Sequence, residues 1–254
     1  RRPSFHGSRP PHVFITQNGD WPAQSDKSEY RLFGCEGLVC TNPDYYERNQ
    51  MHWTCALIPN GIDVNLFRPG PSMREKFGLP QTGLVILMVS ALIPSKRVAD
   101  GIRAVSQLAG AHLVVAGDGP LRDEIRQLAK ELLPNRFTRV SVAGHEMPLL
   151  YRSADVFLHL SKEESFGNVY IEAMACGLPI VGHDTARLRW IVGDHEFLTD
   201  TTDIAAVARQ LTEACSSSEG KKKARLARSS DFSWSKVAAK YRTFFEQVIE
   251  SQKQ

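Results

Sequence analysis

The chain has 254 residues, 42% of them hydrophobic and 23% charged, with a formal net charge of +3. Those values exclude a chain that is mainly disordered, and the mild charge gives no reason to expect a nucleic-acid partner. The longest apolar run, residues 84–93, is too short to span a bilayer and reads as a buried strand.

Residues 1–11 read as a polar, proline-rich lead-in. An apolar run at 12–16, followed by Gln17, Asn18, Gly19 and Asp20, predicts a short strand and a turn. Residues 37–40 and 55–58 predict two more short strands, with a helix starting within 42–49 and Pro59-Asn60-Gly61 closing the third strand. Three short strands bury too little surface to stand alone. Residues 1–65 therefore read as the tail of one domain, and 66–254 as a second.

From residue 84 the pattern strengthens. Near-continuous apolar strands are predicted at 84–91, 112–116, 140–143, 156–160 and 180–182. Helical spacing separates them at 96–108, 121–133, 149–153 and 170–176, and two closing helices follow at 203–216 and 234–251. Apolar strands alternating with amphipathic helices specify an α/β fold, a Rossmann-like parallel sheet with helices on both faces. In such sheets ligands bind where the carboxyl ends of strands enter loops.

Three of those loops carry candidate chemistry. In Ile93-Pro94-Ser95-Lys96-Arg97, Ser95 reads as a helix N-cap, and Lys96 and Arg97 add cations to a helix end that already favours a phosphate. In Glu164-Ser165-Phe166-Gly167-Asn168, Gly167 permits a tight turn. Glu164 and Glu172 can face one cleft as acceptors for sugar or ribose hydroxyls. Gly117-Asp118-Gly119-Pro120 lacks the third glycine of a dinucleotide fingerprint, since Arg122 occupies that place, and reads as a turn with Gly119 lining a pocket edge.

The stretch from Glu164 through Gly167, Asn168, Val169 and Glu172 to Val181 closely resembles the E-x7-E signature of the family-four retaining glycosyltransferases, enzymes of GT-B architecture. The resemblance extends through Ile58-Pro59-Asn60-Gly61-Ile62-Asp63, Val115 to Pro120, and Ala154 to Leu158 with Ser161. It implies transfer of a sugar from a nucleotide-diphosphate sugar to a hydroxyl on a sugar, a lipid-linked sugar or a small molecule, with retention at the anomeric carbon. It implies that Glu172 holds the ribose, Glu164 the transferred sugar, and Lys96 the diphosphate. The backbone around Ser165, Phe166, Gly167, Asn168 and Val169 would steady the sugar, and Gly144 and His145 would touch the base. Residues 66–254 would then be the donor-binding half, with 1–65 the remnant of the acceptor-binding half and the chain alone a poor catalyst.

One departure stands out: Ala91 occupies the place where members of that family carry an arginine paired with the lysine, and Arg97 is the nearest substitute. Loss of such a cation costs roughly 3–4 kcal/mol of transition-state stabilisation, by analogy with an oxyanion donor. Two rival readings share the architecture: a noncatalytic donor-binding or scaffold module, and a nucleotide-sugar epimerase or phosphorylase. The sequence has no D-x-D pair, so no metal clamp is expected, and no cofactor beyond the donor itself. His145-Glu146 lacks the second histidine of a zinc-protease helix, and no G-x-S-x-G elbow occurs.

The remaining features read as structural. His159 reads as a satisfied core residue, Cys176 as helix packing, and Tyr241, Phe244 and Phe245 as core. Lys221, Lys222, Lys223, Arg225 and Arg228 read first as a solvated helix face and second as a contact for anionic lipid at a membrane periphery. The first residues do not resemble a signal peptide, and five cysteines without C-x-x-C spacing fit a reducing, cytoplasmic setting.

Overall fold

A computed structural model describes residues 10–17, 35–194 and 196–252. Most of the expected lead-in, and the turn at Asn18, Gly19 and Asp20, lie outside them. The chain forms two compact units, one built from the N-terminal segment through Gly61 together with the chain from Trp234 onward, the other spanning Ile62–Ser233.

The smaller unit holds three parallel strands in the order β1 (His12–Ile15), β2 (Cys35–Cys40), β3 (Cys55–Leu57). Helix α1 (Pro43–Asn49) starts where the Asn42 side chain accepts a hydrogen bond from the Tyr45 N–H, with proline in its first turn. The expected division at residue 65 left the last helix with the larger unit, and the structure differs. Val237, Phe244 and Val248 of that helix share one core with Val39 and Ile58, so its apolar face belongs to the short sheet. Phe245 points outward, 41% exposed, against its expected place in the core.

The larger unit carries six parallel strands: β4 (Val85–Val89), β5 (His112–Ala116), β6 (Phe137–Val140), β7 (Val156–His159), β8 (Ile180–His183) and β9 (Phe197–Thr199). Their spatial order is β6-β5-β4-β7-β8-β9. Helices α2 (Val98–Ser106), α3 (Arg122–Leu132), α4 (Met147–Tyr151), α5 (Asn168–Ala175), α6 (Ala186–Val192), α7 (Ile204–Cys215) and α8 (Glu219–Ser230) cover it, and α9 (Trp234–Ser251) is the helix of the smaller unit. One core lies on each face of the sheet, as near-continuous apolar strands require. The strand order reverses direction between β4 and β7, which creates a crevice at their carboxyl ends.

Several boundaries moved for physical reasons. Strand β6 ends where residues 140–143 were expected to begin, because this edge strand is half-buried at Phe137, Thr138 and Val140 and exposed at Arg139 and so shows no continuous apolar run. Strand β4 stops at Val89 because Leu92 donates its N–H to the Asp118 carbonyl and its own carbonyl accepts from Leu121. Gly117 and Gly119 permit that interlock: a Cβ on Gly117 would lie 1.9 Å from the Ser90 carbonyl oxygen, and one on Gly119 2.6 Å from that of Leu92. Gly119 is thus the packing point that shapes the loop after β4.

The basic run is not a bare cationic face. Lys221 sits over the Phe197 ring at 4.2 Å, Lys222 pairs with Glu219, and Arg228 donates to the Ile191 and Trp190 carbonyls. Arg225 is buried in a 2.7 Å pair with buried Glu196, whose other oxygen accepts from the Ile180 N–H. These groups tie α8 to the sheet and to α6, and Lys223 is the exposed member. Among the described residues no helix is long and apolar enough to cross a membrane.

Candidate functional site

The loops that follow β4 and β7 bring Lys96 and Glu164 together beside the crevice. After β4 the chain makes a 3-10 turn at Pro94–Lys96 and then a left-handed residue, Arg97 (φ 54°), before α2 begins. Ser95 is therefore exposed and caps nothing, contrary to expectation, and no side chain caps α2. After β7 the loop closes on Gly167 (φ 90°), and α5 likewise starts without a side-chain cap. A side chain at Gly167 would strike the Tyr170 ring at 2.6 Å, so glycine is required there on both counts. Two uncapped helix ends flank the crevice, each carrying roughly half a positive charge.

Lys96 and Glu164 meet in an ion pair across it, each side chain 20% exposed. The same carboxylate oxygen, Oε1, accepts a second hydrogen bond from His159 Nε2 at 2.7 Å. Burial pushes the Glu164 carboxyl up, but the hydrogen bonds and charges of His159 and Lys96 outweigh it and hold the group at about 2. Arg187, in the first turn of α6, donates to the Glu164 backbone carbonyl. Glu164 is thereby fixed through both main chain and side chain.

Glu172 lies on α5 and accepts a 2.7 Å hydrogen bond from the hydroxyl of fully buried Tyr151. Burial raises its carboxyl pKa, and the Tyr151 bond opposes that rise. Burial, with Glu172 alongside, carries the Tyr151 hydroxyl well above its ordinary value. One aromatic cluster joins the two acids: Tyr151 packs on Phe157, Phe157 stacks on His159, and Tyr170 meets both Phe157 and His159 edge-on. Glu164 and Glu172 thus stand at two ends of one rigid platform on the same face of the sheet.

Not every expected residue joins them. The Arg97 guanidinium is held by the protein itself, bonding Asp100, the Leu160 carbonyl, and both the hydroxyl and carbonyl of Thr201. That network corrects its expected role as a second phosphate cation: it anchors the turn that presents Lys96. Phe166 is buried against Trp190 and Phe232, so its side chain anchors the loop that carries Ser165, Gly167 and Asn168. Val169 packs at the edge of the core. Gly144 and His145 are exposed on a 3-10 turn following β6, at the same end of the sheet but two strands from the pair, and an ion pair between Lys76 and Glu146 pins that turn. Among the described residues no group of three or more His, Cys, Asp or Glu is placed to hold a metal.

Sequence reasoning missed three contributors. His159 was expected to be a satisfied core residue, yet its Nδ1 is buried without a partner among the described residues, at a cost of about 1–3 kcal/mol. The available signal was its strand position, on the same face as Phe157. Tyr151 and Arg187 carried none, because each is brought to the acids by a helix packed from elsewhere in the chain.

A family model described as glycosyl transferases group 1 matches residues 71–230. Among curated proteins, the N-acetyl-alpha-D-glucosaminyl L-malate synthase of Bacillus anthracis is 29% identical over 206 residues, covering 76% of this chain and 54% of its own length. The D-inositol 3-phosphate glycosyltransferase of Mycobacterium tuberculosis is 35% identical over 144 residues, covering 53% of this chain and 30% of its own. The chain therefore spans about half the length, or less, of these relatives. Among solved structures, the sucrose-phosphate synthase of Thermosynechococcus elongatus matches 94% of this chain and 68% of its own, with a TM-score of 0.80 and 24% identity. Anabaena HepE in complex with UDP-glucose matches 96% of this chain and 72% of its own, with a TM-score of 0.75 and 22% identity. Both likenesses establish the GT-B type of fold.

Proposed function

The chain belongs to the group 1 glycosyltransferases, and from that premise we propose that it supplies the donor site of a retaining enzyme that moves a hexose from a nucleoside-diphosphate sugar to an acceptor hydroxyl. One observation carries the reading: an ammonium and a carboxylate converge between two uncapped helix ends at the point where the strand order reverses. Lys96 and the helix N-termini match a diphosphate, whose charge grows as it leaves. Glu164 matches the sugar hydroxyls, and Glu172 the ribose hydroxyls. In the transfer step the bond from the anomeric carbon to the diphosphate oxygen breaks as the acceptor oxygen bonds that carbon. The hydroxyl proton departs with the diphosphate. Ser165, Gly167 and Asn168 line the sugar end through their backbone, and Gly144 and His145 the base end.

A second reading, donor binding without efficient transfer, is favoured by the cation supply. Ala91 offers no charge, and Arg97 is held by Asp100 and Thr201. Titration of the chain with UDP, GDP and their hexose conjugates separates the readings when paired with a transfer assay on a labelled donor. Binding with transfer and retained anomeric configuration supports the first, and binding alone the second. If no nucleoside diphosphate binds, both fail. HepE, a structural neighbour, was crystallised with UDP and with UDP-glucose, which makes that pair the first to try.

A further inference from the structure

Resting on the donor-site reading above, we infer that His159 is a positioning residue that holds the Glu164 carboxylate toward the transferred sugar when Lys96 is drawn to the diphosphate. Lys96 and His159 both bond Oε1 of Glu164. Oε2 bonds nothing among the described residues, and it is not one of the fully buried polar atoms. It is the open acceptor of the carboxylate. A diphosphate competes for Lys96 and repels the carboxylate by like charge, so an anchor that depended on the lysine alone would fail as the donor arrives. His159 supplies an anchor the donor does not compete for.

The geometry fits that task. His159 ends β7, is 2% exposed, stacks on Phe157 at 6.2 Å and meets Tyr170 at 5.1 Å. The ring is therefore gripped on its face and at its edge, and Nε2 is aimed at Oε1 of a carboxylate that can only accept, so Nε2 is the nitrogen that donates. The fold accepts an Nδ1 without a partner among the described residues to keep it so. A leucine or phenylalanine would fill the same apolar place without leaving a buried nitrogen unpaired, which makes core packing alone a poor reason for an imidazole.

The test compares UDP with UDP-glucose on the wild-type chain, on H159F, which keeps the ring stack, and on H159Q, which restores an N–H donor. H159F should bind UDP within about twofold of wild type and UDP-glucose at least about tenfold more weakly, with H159Q recovering most of the loss. Equal weakening of both ligands, or of neither, overturns the inference while leaving the donor-site reading intact. Failure of the wild type to bind UDP, GDP or either hexose conjugate overturns both, and if it binds GDP in place of UDP the same comparison is made with GDP and its hexose conjugate. Should H159F not fold, nitrogen-detected imidazole spectra of the wild type give the answer. The Nε2–H signal should stay protected from exchange after UDP is added, and its loss would refute the anchoring role.

Discussion

Lys96 and Glu164, 68 positions apart in the chain, close an ion pair where the strand order of the sheet reverses. Each neutralises a group proposed to serve a different end of the donor. K96M should therefore weaken nucleoside-diphosphate binding by about 10–100-fold, the value of one charged hydrogen bond of about 1.5–3 kcal/mol. K96R should recover only part of it, because a planar guanidinium does not occupy the place of a compact ammonium. Calorimetric titration checks both, and an unchanged affinity in K96M would remove the lysine from the site.

Glu172 makes a sharper demand on ligand structure. If its carboxylate accepts from ribose hydroxyls, E172Q should lower UDP affinity about tenfold or more while leaving 2′,3′-dideoxy-UDP binding unchanged. Y151F, which deletes the 2.7 Å bond that orients Glu172, should move UDP affinity in the same direction by a smaller factor. Equal losses for the ribose and dideoxyribose ligands would mean that Glu172 acts through the fold rather than by contact.

The elements that sequence reading placed well are those whose environment is uniform. Strands β4, β5, β7 and β8 are buried on both faces, so their apolar runs are unbroken, and the loops after β4 and β7 could be marked as candidate sites. Edge strand β9 (Phe197–Thr199) and helix α6 escaped notice because three residues and seven residues leave almost no periodic signal. Within the site, Glu164, Glu172 and Lys96 were legible from residue type and loop position. The misassignment of Arg97 was tertiary in origin: its partners Thr201 and Leu160 are supplied by segments 104 and 63 positions away. No local pattern announces such bonds.

The glycine interlock behind Lys96 predicts a linked loss of stability and binding. In G117A the new methyl would sit 1.9 Å from the Ser90 carbonyl oxygen, which is backbone and cannot swing aside. The loop carrying residues 90–97 must shift, with a stability cost of about 1–3 kcal/mol as for overpacking and reduced nucleoside-diphosphate affinity. G220A on α8 is the control, since its Cβ would meet only the Ser218 hydroxyl oxygen, at 3.7 Å, and it lies outside the proposed site. Denaturant melts and titrations of the two variants should diverge, and identical behaviour would show that the interlock is not rigid.

Arg225 and Glu196 form an ion pair with both side chains only 1% exposed. Removing one partner strands the other as a buried charge, so R225M should cost about 3–5 kcal/mol. The double variant R225M/E196M should be less damaging than the sum of the singles, although loss of the bonds to the Gly177 carbonyl and Ile180 N–H keeps it below wild type. Urea unfolding of the four proteins measures the coupling. Strict additivity would contradict a direct interaction.

The acid side of the stability curve tests the charge state of the two glutamates. Folding lowers the Glu164 pKa from 4.5 to about 2. Between those values the unfolded chain therefore binds more protons, and stability rises with pH. The contribution is complete above the unfolded value and is lost as pH falls through the folded one. The stability advantage of wild type over E164Q should then be steady near neutrality and shrink as pH drops from 4.5 toward 2. Glu172 has the opposite sign: burial raises its pKa, so folding disfavours its ionised form, and that penalty is relieved as pH falls through the raised value. E172Q should accordingly gain on wild type near neutrality and lose the gain in acid. Urea melts of the three proteins across the acid range would show the first gap closing from above and the second from below. Parallel curves for wild type and E164Q would mean that the pair with Lys96 and the bond to His159 do not hold Glu164 ionised.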